Sequence, residues 1–379
     1  MKRLKIVADD KIPFLRGVLE PYADIAYLPG AGISPVDVAD ADALFTRTRT
    51  KCNAALLEGS RVRLIATATI GYDHIDTAFC EAGGIRWVNA PGCNSSSVQQ
   101  YITAVLVALA KEQRRVFRET TLGVIGVGNV GSKVARAGAA LGMNVLLNDP
   151  PRADREGPDA FTPLDELLSR SDIVTCHTPL TREEPYPTYH LASDSFFERM
   201  KTGAVFVNSS RGAVVDSAAL KHAMQTKLSD FVLDVWENEP AIDLLLLEKA
   251  FVGTPHIAGY SSDGKANGTA ACVHELRRFF GLDVLTDWYP ATVPPPPYPV
   301  TFTVDCKGKT PEEIFYEAVT HTYPVMEDSR RLKQSPETFE EQRGNYWIRR
   351  EFGSYTLRLN GVDAEVANGL RELGFDIVQ

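Results

Sequence analysis

The sequence predicts an α/β protein in three parts: two doubly wound parallel-sheet domains and a small C-terminal α+β domain. Three observations predict it. Short apolar segments alternate with helical stretches from Leu4 to Leu233, a glycine loop at Gly126-Val127-Gly128-Asn129-Val130-Gly131 directly follows one of those segments, and consecutive prolines in Val293 to Pro299 set off a last stretch of mixed character. Strands alternating with helices imply βαβ crossovers and hence parallel pairing. At 379 residues the chain exceeds one ordinary core.

The strands read in order as Leu4–Ala8, Ala43–Thr46 and Leu64–Ala68, then Leu122–Gly126, Val145–Asn148, Ile173–Cys176, Ala204–Val207 and Phe231–Leu233. The stretch Pro91 to Ser97 reads as a hinge, with serine capping a helix from Val98 to about Arg115. A long small-residue helix is predicted over Asp263–Phe280. Beyond the prolines, which form a stiff extended spacer, Thr301–Val304, Tyr355–Leu359 and Phe375–Val378 read as strands. Pro311–Thr320 and Asp363–Leu373 read as helices. So small a unit borrows stability from a partner, which predicts oligomerisation.

A net charge of −9 excludes a domain-wide nucleic-acid-binding face. An anionic substrate would then need a local basic pocket. Six cysteines without CxxC pairs or metal-ligand spacing predict reduced thiols in the cytoplasm and no metal site. The longest apolar run, Ile102 to Ala110, is too short to span a bilayer, and the basic start at Met1 lacks the apolar length of a signal peptide.

The glycine loop carries the first chemistry. Gly126 permits a tight turn after a strand, Gly128 lets backbone approach a pyrophosphate, and Gly131 allows close packing of the helix that opens there. The next strand ends at Asp149, whose carboxylate suits both ribose hydroxyls of an adenosine and repels a 2′-phosphate. Together they predict NAD, with Arg152 the one neighbour able to accommodate NADP. Three further residues follow successive strands: Arg211, Glu239 and His256. Oxidation of a 2-hydroxy acid needs a base that takes the hydroxyl proton, a carboxylate that orients that base, and a cation that fixes the substrate carboxylate. Histidine, glutamate and arginine suit those roles.

Ser210-Arg211-Gly212, Asp234-Val235-Trp236-Glu237-Asn238-Glu239-Pro240 and Thr254-Pro255-His256-Ile257-Ala258-Gly259 resemble the motif set of the D-2-hydroxyacid dehydrogenases over about the first 290 residues. The resemblance implies a substrate domain built from residues 1–95 and 260–290, an inserted Rossmann NAD domain over 96–259, and catalytic roles for Arg211, Glu239 and His256. Asn89-Ala90-Pro91-Gly92-Cys93-Asn94, Asn148-Asp149-Pro150-Pro151-Arg152-Ala153-Asp154, His177-Thr178-Pro179-Leu180 and His256-Ile257-Ala258-Gly259-Tyr260 resemble, more narrowly, a branch acting on a phosphorylated acid. In that branch an additional C-terminal domain, here 291–379, makes a homodimer. Departures fall at Thr48, Ile70 and Gln99-Gln100.

Carried over, the resemblance implies NAD contacts at Asn129, Val130, Asp149, Thr178, Ser209, Ser210, Arg211, Asp234 and Gly259, beside Gly126, Gly128 and Gly131. It implies substrate contacts at Thr48, Thr69 and Tyr260. The residues themselves offer a phosphate site at the strand-end loop Phe45 to Lys51, with Arg47, directly after the strand, its leading cation. A second basic run, Arg343 to Arg350, either reaches a site across a dimer or only stabilises its own domain. Two alternatives stay open: a relative acting on 3-phosphoglycerate or an unphosphorylated acid, and a dinucleotide-sensing corepressor-like binding protein.

Overall fold

The computed structural model describes residues 3–378; Met1, Lys2 and Gln379, at the ends of the ranges above, lie outside the described residues. The chain forms two compact units, Met1–Asn94 with Ser261–Pro294 and Ser95–Tyr260 with Pro295–Gln379.

The first unit holds a five-stranded sheet of β1 (Leu4–Asp9), β2 (Ala23–Leu28), β3 (Ala43–Thr46), β4 (Leu64–Thr67) and β5 (Arg86–Val88), in the order β2-β1-β3-β4-β5. All pairs are parallel. β3 and β4 are buried at every position, as the near-continuous apolar strands of a doubly covered parallel sheet should be. The helix Ser262–Phe280 returns to this sheet. Its small residues have a reason: a β-carbon on Gly268 would strike the Ala68 carbonyl, so helix and strand end meet backbone to backbone.

The second unit contains a six-stranded parallel sheet of β6 (Thr121–Ile125), β7 (Asn144–Asn148), β8 (Ile173–Cys176), β9 (Ala204–Asn208), β10 (Leu228–Leu233) and β11 (Val252–Gly253). Its order is β11-β10-β9-β8-β6-β7, so the direction of winding reverses between β6 and β8. In such sheets the crevice at the carboxyl ends, beside the reversal, is where a dinucleotide binds.

The C-terminal strands β12 (Thr301–Asp305), β13 (Thr356–Asn360) and β14 (Asp376–Val378) form a third sheet, parallel throughout. This segment has its own sheet but not its own core. Phe315, Val319, Tyr323 and Leu370 share one apolar cluster with Val105, Leu109, Val134 and Ala137 of the NAD-side half. The helix Ser95–Gln113 is buried on nearly every side, covered by the helices Gly131–Ala140 and Pro311–Thr322. A β-carbon on Gly369 would strike the Ala140 carbonyl, so the helix Ala364–Leu373 also lies directly on that half. Polar ties add to this. Gln100, fully buried, donates to the Arg350 carbonyl at 2.9 Å, and Gln99 to that of Leu373 at 3.3 Å.

One sequence expectation changes. The helix begins at Ser95, so Ser95 to Ser97 form its first turn and do not cap a start at Val98. Ser97 instead donates to Glu351 at 2.8 Å, a partner from the C-terminal segment that local sequence cannot supply. Among the described residues, no helix is long and apolar enough to cross a membrane.

Candidate active site

Because every strand of β6–β11 runs the same way, every loop that follows one emerges at the same edge. The glycine loop follows β6, Asp149 follows β7, Thr178 follows β8, Ser209 to Arg211 follow β9, Asp234 to Glu239 follow β10, and Thr254 to Gly259 follow β11. Parallel topology alone gathers the predicted NAD and catalytic positions of this unit.

The glycine loop is closed by two contacts that only glycine allows. Gly126 has φ +82 and would carry a β-carbon 2.8 Å from the His177 backbone, while one on Gly131 would strike the Gly126 carbonyl. Gly128 and Asn129 are exposed at the start of the helix Gly131–Ala140, whose first amides offer an anion site. Asp149 caps the helix Pro150–Glu156 through the Arg152 amide at 3.0 Å and accepts from Val127 N at 2.8 Å. Arg152, the residue able to hold a 2′-phosphate, is gripped by Glu156 at 2.6 and 2.8 Å and donates to the Val127 carbonyl at 2.6 Å. Its charge is already answered, which favours NAD over NADP. The hydroxyl oxygens of Thr178 and Ser209 are buried and have no hydrogen-bond partner among the described residues. Two orphaned hydroxyls at expected cofactor contacts fit a ligand that is bonded there.

Arg211 ends a turn built by Asn208, whose amide donates to the Arg211 carbonyl at 2.9 Å and whose oxygen accepts from Ser210 N and Oγ at 3.0 and 2.8 Å. Gly212 follows because nothing larger fits: a β-carbon there would lie 2.6 Å from Glu237 N and closer still to the Trp236 carbonyl. The loop after β9 is thus pressed against the loop after β10. Glu237, in that second loop, accepts from His190 Nε2 at 2.8 Å and Ser217 N at 3.0 Å.

His256 Nδ1 lies 2.8 Å from Glu239 Oε2, and Glu239 Oε1 accepts from Trp236 N at 2.8 Å. Burial alone would push the Glu239 carboxyl up, but the His256 ring and the Trp236 amide outweigh it, so the group is held below its ordinary value. Glu239 is therefore ionised near neutral pH and can only accept. The shared proton then resides on Nδ1, and Nε2 is the basic nitrogen left for a reactant.

The turn that carries His256 is held by several hydrogen bonds. The Asp234 carboxylate accepts from Thr254 Oγ1 and Ile257 N, both at 2.7 Å, and from Ala258 N at 3.0 Å. His256 N donates to the Asp234 carbonyl at 2.7 Å. Tyr101 donates to Thr254 Oγ1 at 2.8 Å, and Trp236 Nε1 to the Thr254 carbonyl at 2.9 Å. His256 itself has φ +56, a left-handed conformation that a non-glycine residue keeps only where its surroundings enforce it. Asp234, expected as a cofactor contact, has both carboxylate oxygens engaged in this turn. Burial raises its carboxyl above the ordinary range, against the opposing pull of His256 and its donors. Tyr260 packs edge-to-face on Tyr346 with ring centres 6.0 Å apart, under the Arg343 guanidinium at 5.8 Å.

The remaining expected residues belong to the first unit. Arg47 is half-buried and donates to the Lys11 carbonyl at 3.3 Å, while Thr48 and Arg49 are exposed. Thr50 is buried and donates to the Gly30 carbonyl at 3.0 Å, so that hydroxyl is structural. Thr69 donates to the Gly71 carbonyl at 2.9 Å and lies 2.8 Å from the Thr67 hydroxyl. Tyr101 and Asn208 are not singled out by the sequence, and Arg349 enters it only as one member of the basic run Arg343 to Arg350. Asn208 was findable as the polar end of an apolar strand; the other two are selected only by tertiary packing.

Residues 98–258 match the model of the D-isomer-specific 2-hydroxyacid dehydrogenase NAD-binding domain. An erythronate-4-phosphate dehydrogenase of Bacteroides fragilis is 48% identical over 356 residues, covering 93% of this chain and 99% of that protein. The chain belongs to the D-isomer-specific 2-hydroxyacid dehydrogenase family, in the branch of the erythronate-4-phosphate dehydrogenases. It is an NAD-dependent dehydrogenase. The Escherichia coli relative of the same name is 39% identical over 386 residues, covering 99% of each chain. Among solved structures, D-lactate dehydrogenase of Aquifex aeolicus, complexed with NAD and lactic acid, aligns with TM-score 0.61 and 29% identity over 77% of this chain and 99% of that one. Residues 296–374 match a domain family of unknown function.

Proposed function

We propose that the protein oxidises 4-phospho-D-erythronate at C2 to (R)-3-hydroxy-2-oxo-4-phosphooxybutanoate with NAD, a step of vitamin B6 biosynthesis. The His256–Glu239 pair is the observation that carries the chemistry, and similarity to the relatives over nearly the whole chain carries the substrate. Bound NAD supplies the hydride acceptor. Gly126, Gly128 and Gly131 with Asn129 and Val130 would hold its pyrophosphate, Asp149 its adenosine ribose, and Thr178, Ser209, Ser210 and Gly259 the rest. His256 Nε2 accepts the proton of the C2 hydroxyl as the C–H bond breaks. Glu239 holds the ring by Nδ1 and stabilises the imidazolium that forms. Arg211 offers two parallel donors to the substrate carboxylate and polarises the reacting oxygen. Arg47, Thr48, Thr69 and Tyr260 are the residues we assign to the rest of the substrate, with Arg47 toward the phosphate.

The same reading includes a homodimer made through the C-terminal segment, where Val300, Met326 and Ile348 are exposed. It also includes a reducing, cytoplasmic setting, supported by six free cysteines, five of them buried. Burial pushes the Cys52 and Cys176 thiols up to about 12, which keeps them inert.

Side-by-side steady-state kinetics on 4-phospho-D-erythronate, 3-phosphoglycerate and D-lactate test the substrate. The phosphoerythronate should give the highest kcat/KM. An equal or greater value on either rival overturns the assignment, and no NAD reduction with any hydroxy acid returns the chain to a sensing role.

A further inference from the structure

The C-terminal segment reaches the catalytic turn through a residue that nothing in the family motifs marks. Arg349 is completely buried, and its Nη2 donates to the Ala258 carbonyl at 2.5 Å, two residues beyond His256. The same nitrogen lies 3.4 Å from the Ser97 carbonyl, while Nε and Nη1 have no hydrogen-bond partner among the described residues. No carboxylate pairs with it among the described residues. A guanidinium taken out of water without a paired anion is costly, so its position needs a compensating use. Its plane lies 4.4 Å over the Tyr323 ring and 5.8 Å from that of Tyr346. Both tyrosines donate to Asp328 Oδ2, at 3.0 and 2.6 Å. Two aromatic faces thus soften the desolvation of the cation while their hydroxyls reach a carboxylate beyond.

The turn from Thr254 to Ala258 is gripped from two sides. Asp234, from the sheet, accepts the amides of Ile257 and Ala258, and Arg349, from the C-terminal segment, donates to the carbonyl of Ala258. With His256 at φ +56, the ring direction depends on where this short stretch of backbone is held.

We propose that Arg349 is a positioning residue for His256, and that the C-terminal segment is therefore part of the catalytic apparatus as well as an oligomerisation element. The role rests on the reading of His256 as the base. Arg349 does not touch substrate; it sets the backbone from which His256 meets Glu239 and the reactant.

The test uses the full-length protein with R349M, R349K and, as reference, H256N. In R349M, kcat should fall about tenfold to a hundredfold while KM for NAD changes less than about threefold, the pattern of a misaligned base behind an intact cofactor site. R349K keeps one donor for the Ala258 carbonyl and should recover part of kcat. In parallel, ¹³C-histidine NMR, with H256N identifying the resonance, should show the His256 ring signal displaced in R349M and partly restored in R349K. Wild-type kcat together with an unmoved His256 signal in folded R349M overturns the proposal. If R349M does not fold, R349K decides alone, and wild-type behaviour in both readouts overturns it. The NMR arm needs no substrate: a wild type that fails to oxidise phosphoerythronate rejects the substrate assignment, whereas a still His256 signal rejects the role of Arg349.

Discussion

The turn that carries His256 and the loop that carries Arg47 belong to different units and are built on opposite principles. In the first, Asp234, Tyr101, Trp236 and Arg349 engage most of the polar groups from Thr254 to Ala258. In the second, Thr48 and Arg49 face solvent and Arg47 has one long bond to a backbone carbonyl. A proton-transfer group, the role proposed for His256, must be placed to within a fraction of an ångström and cannot adapt. A phosphate, carrying charge in several directions, can be recognised by cations that need only be nearby, the role proposed for Arg47. Damage should therefore appear in turnover on the first side and in substrate affinity on the second.

The comparison is broken most severely by removing the proposed base. His256→Ala should lower kcat by about 10³-fold, equivalent to about 4 kcal/mol of barrier, while NADH fluorescence titration gives wild-type affinity. Near-wild-type turnover would remove His256 from the mechanism. Asp234→Ala leaves two buried amides without an acceptor and should cost about 3 kcal/mol of stability, seen in urea melts, with kcat lost alongside. On the exposed side, Arg47→Ala should raise KM for the phosphorylated acid about tenfold, or about 1.4 kcal/mol, with kcat nearly unchanged. A fall in kcat with KM unmoved would place Arg47 outside phosphate recognition.

The smallest effect is an acid sensitivity confined to the buried side. Burial lowers the His177 imidazole to about 3 from an ordinary 6.5. The unfolded chain then binds a proton that the folded one refuses, so stability is complete above pH 6.5 and declines as pH falls toward 3. Between pH 6.5 and 5.5 the loss should be about 1 kcal/mol, and His177→Asn should remove that share of the slope in denaturant melts. A slope that survives the substitution assigns the effect to other groups, such as His74, also lowered by burial.

Much of the fold was legible because the central strands are apolar runs of the right length: Ala43–Thr46 and Ile173–Cys176 are observed at the positions read from sequence. β2 was not, since Ala-Asp-Ile-Ala-Tyr-Leu at a sheet edge mixes polar and apolar residues. The helix Val325–Gln334 was missed for a related reason: Val325 and Leu332 are its only large buried apolar residues in an otherwise polar stretch. The candidate site was legible where chemistry restricts the residue type: Glu239 and His256, named from sequence for their pairing, lie 2.8 Å apart. It was illegible where a polar residue acts by being buried. Asp234 is expected as a cofactor contact and is found anchoring the His256 turn, and Arg349 looks like any surface charge until the packing that encloses it is known.

The helix Ser95–Gln113 has a consequence for how the protein is made. Its inner faces are covered partly by residues that precede Tyr260 and partly by the segment after Pro295. Ribosomes add about 5–20 residues per second, so the NAD-binding half is complete roughly ten seconds before its last cover has been synthesised. During that interval the nascent chain presents a strip of valine, leucine and alanine to the cell, and a chaperone that binds such strips becomes a participant in its biogenesis.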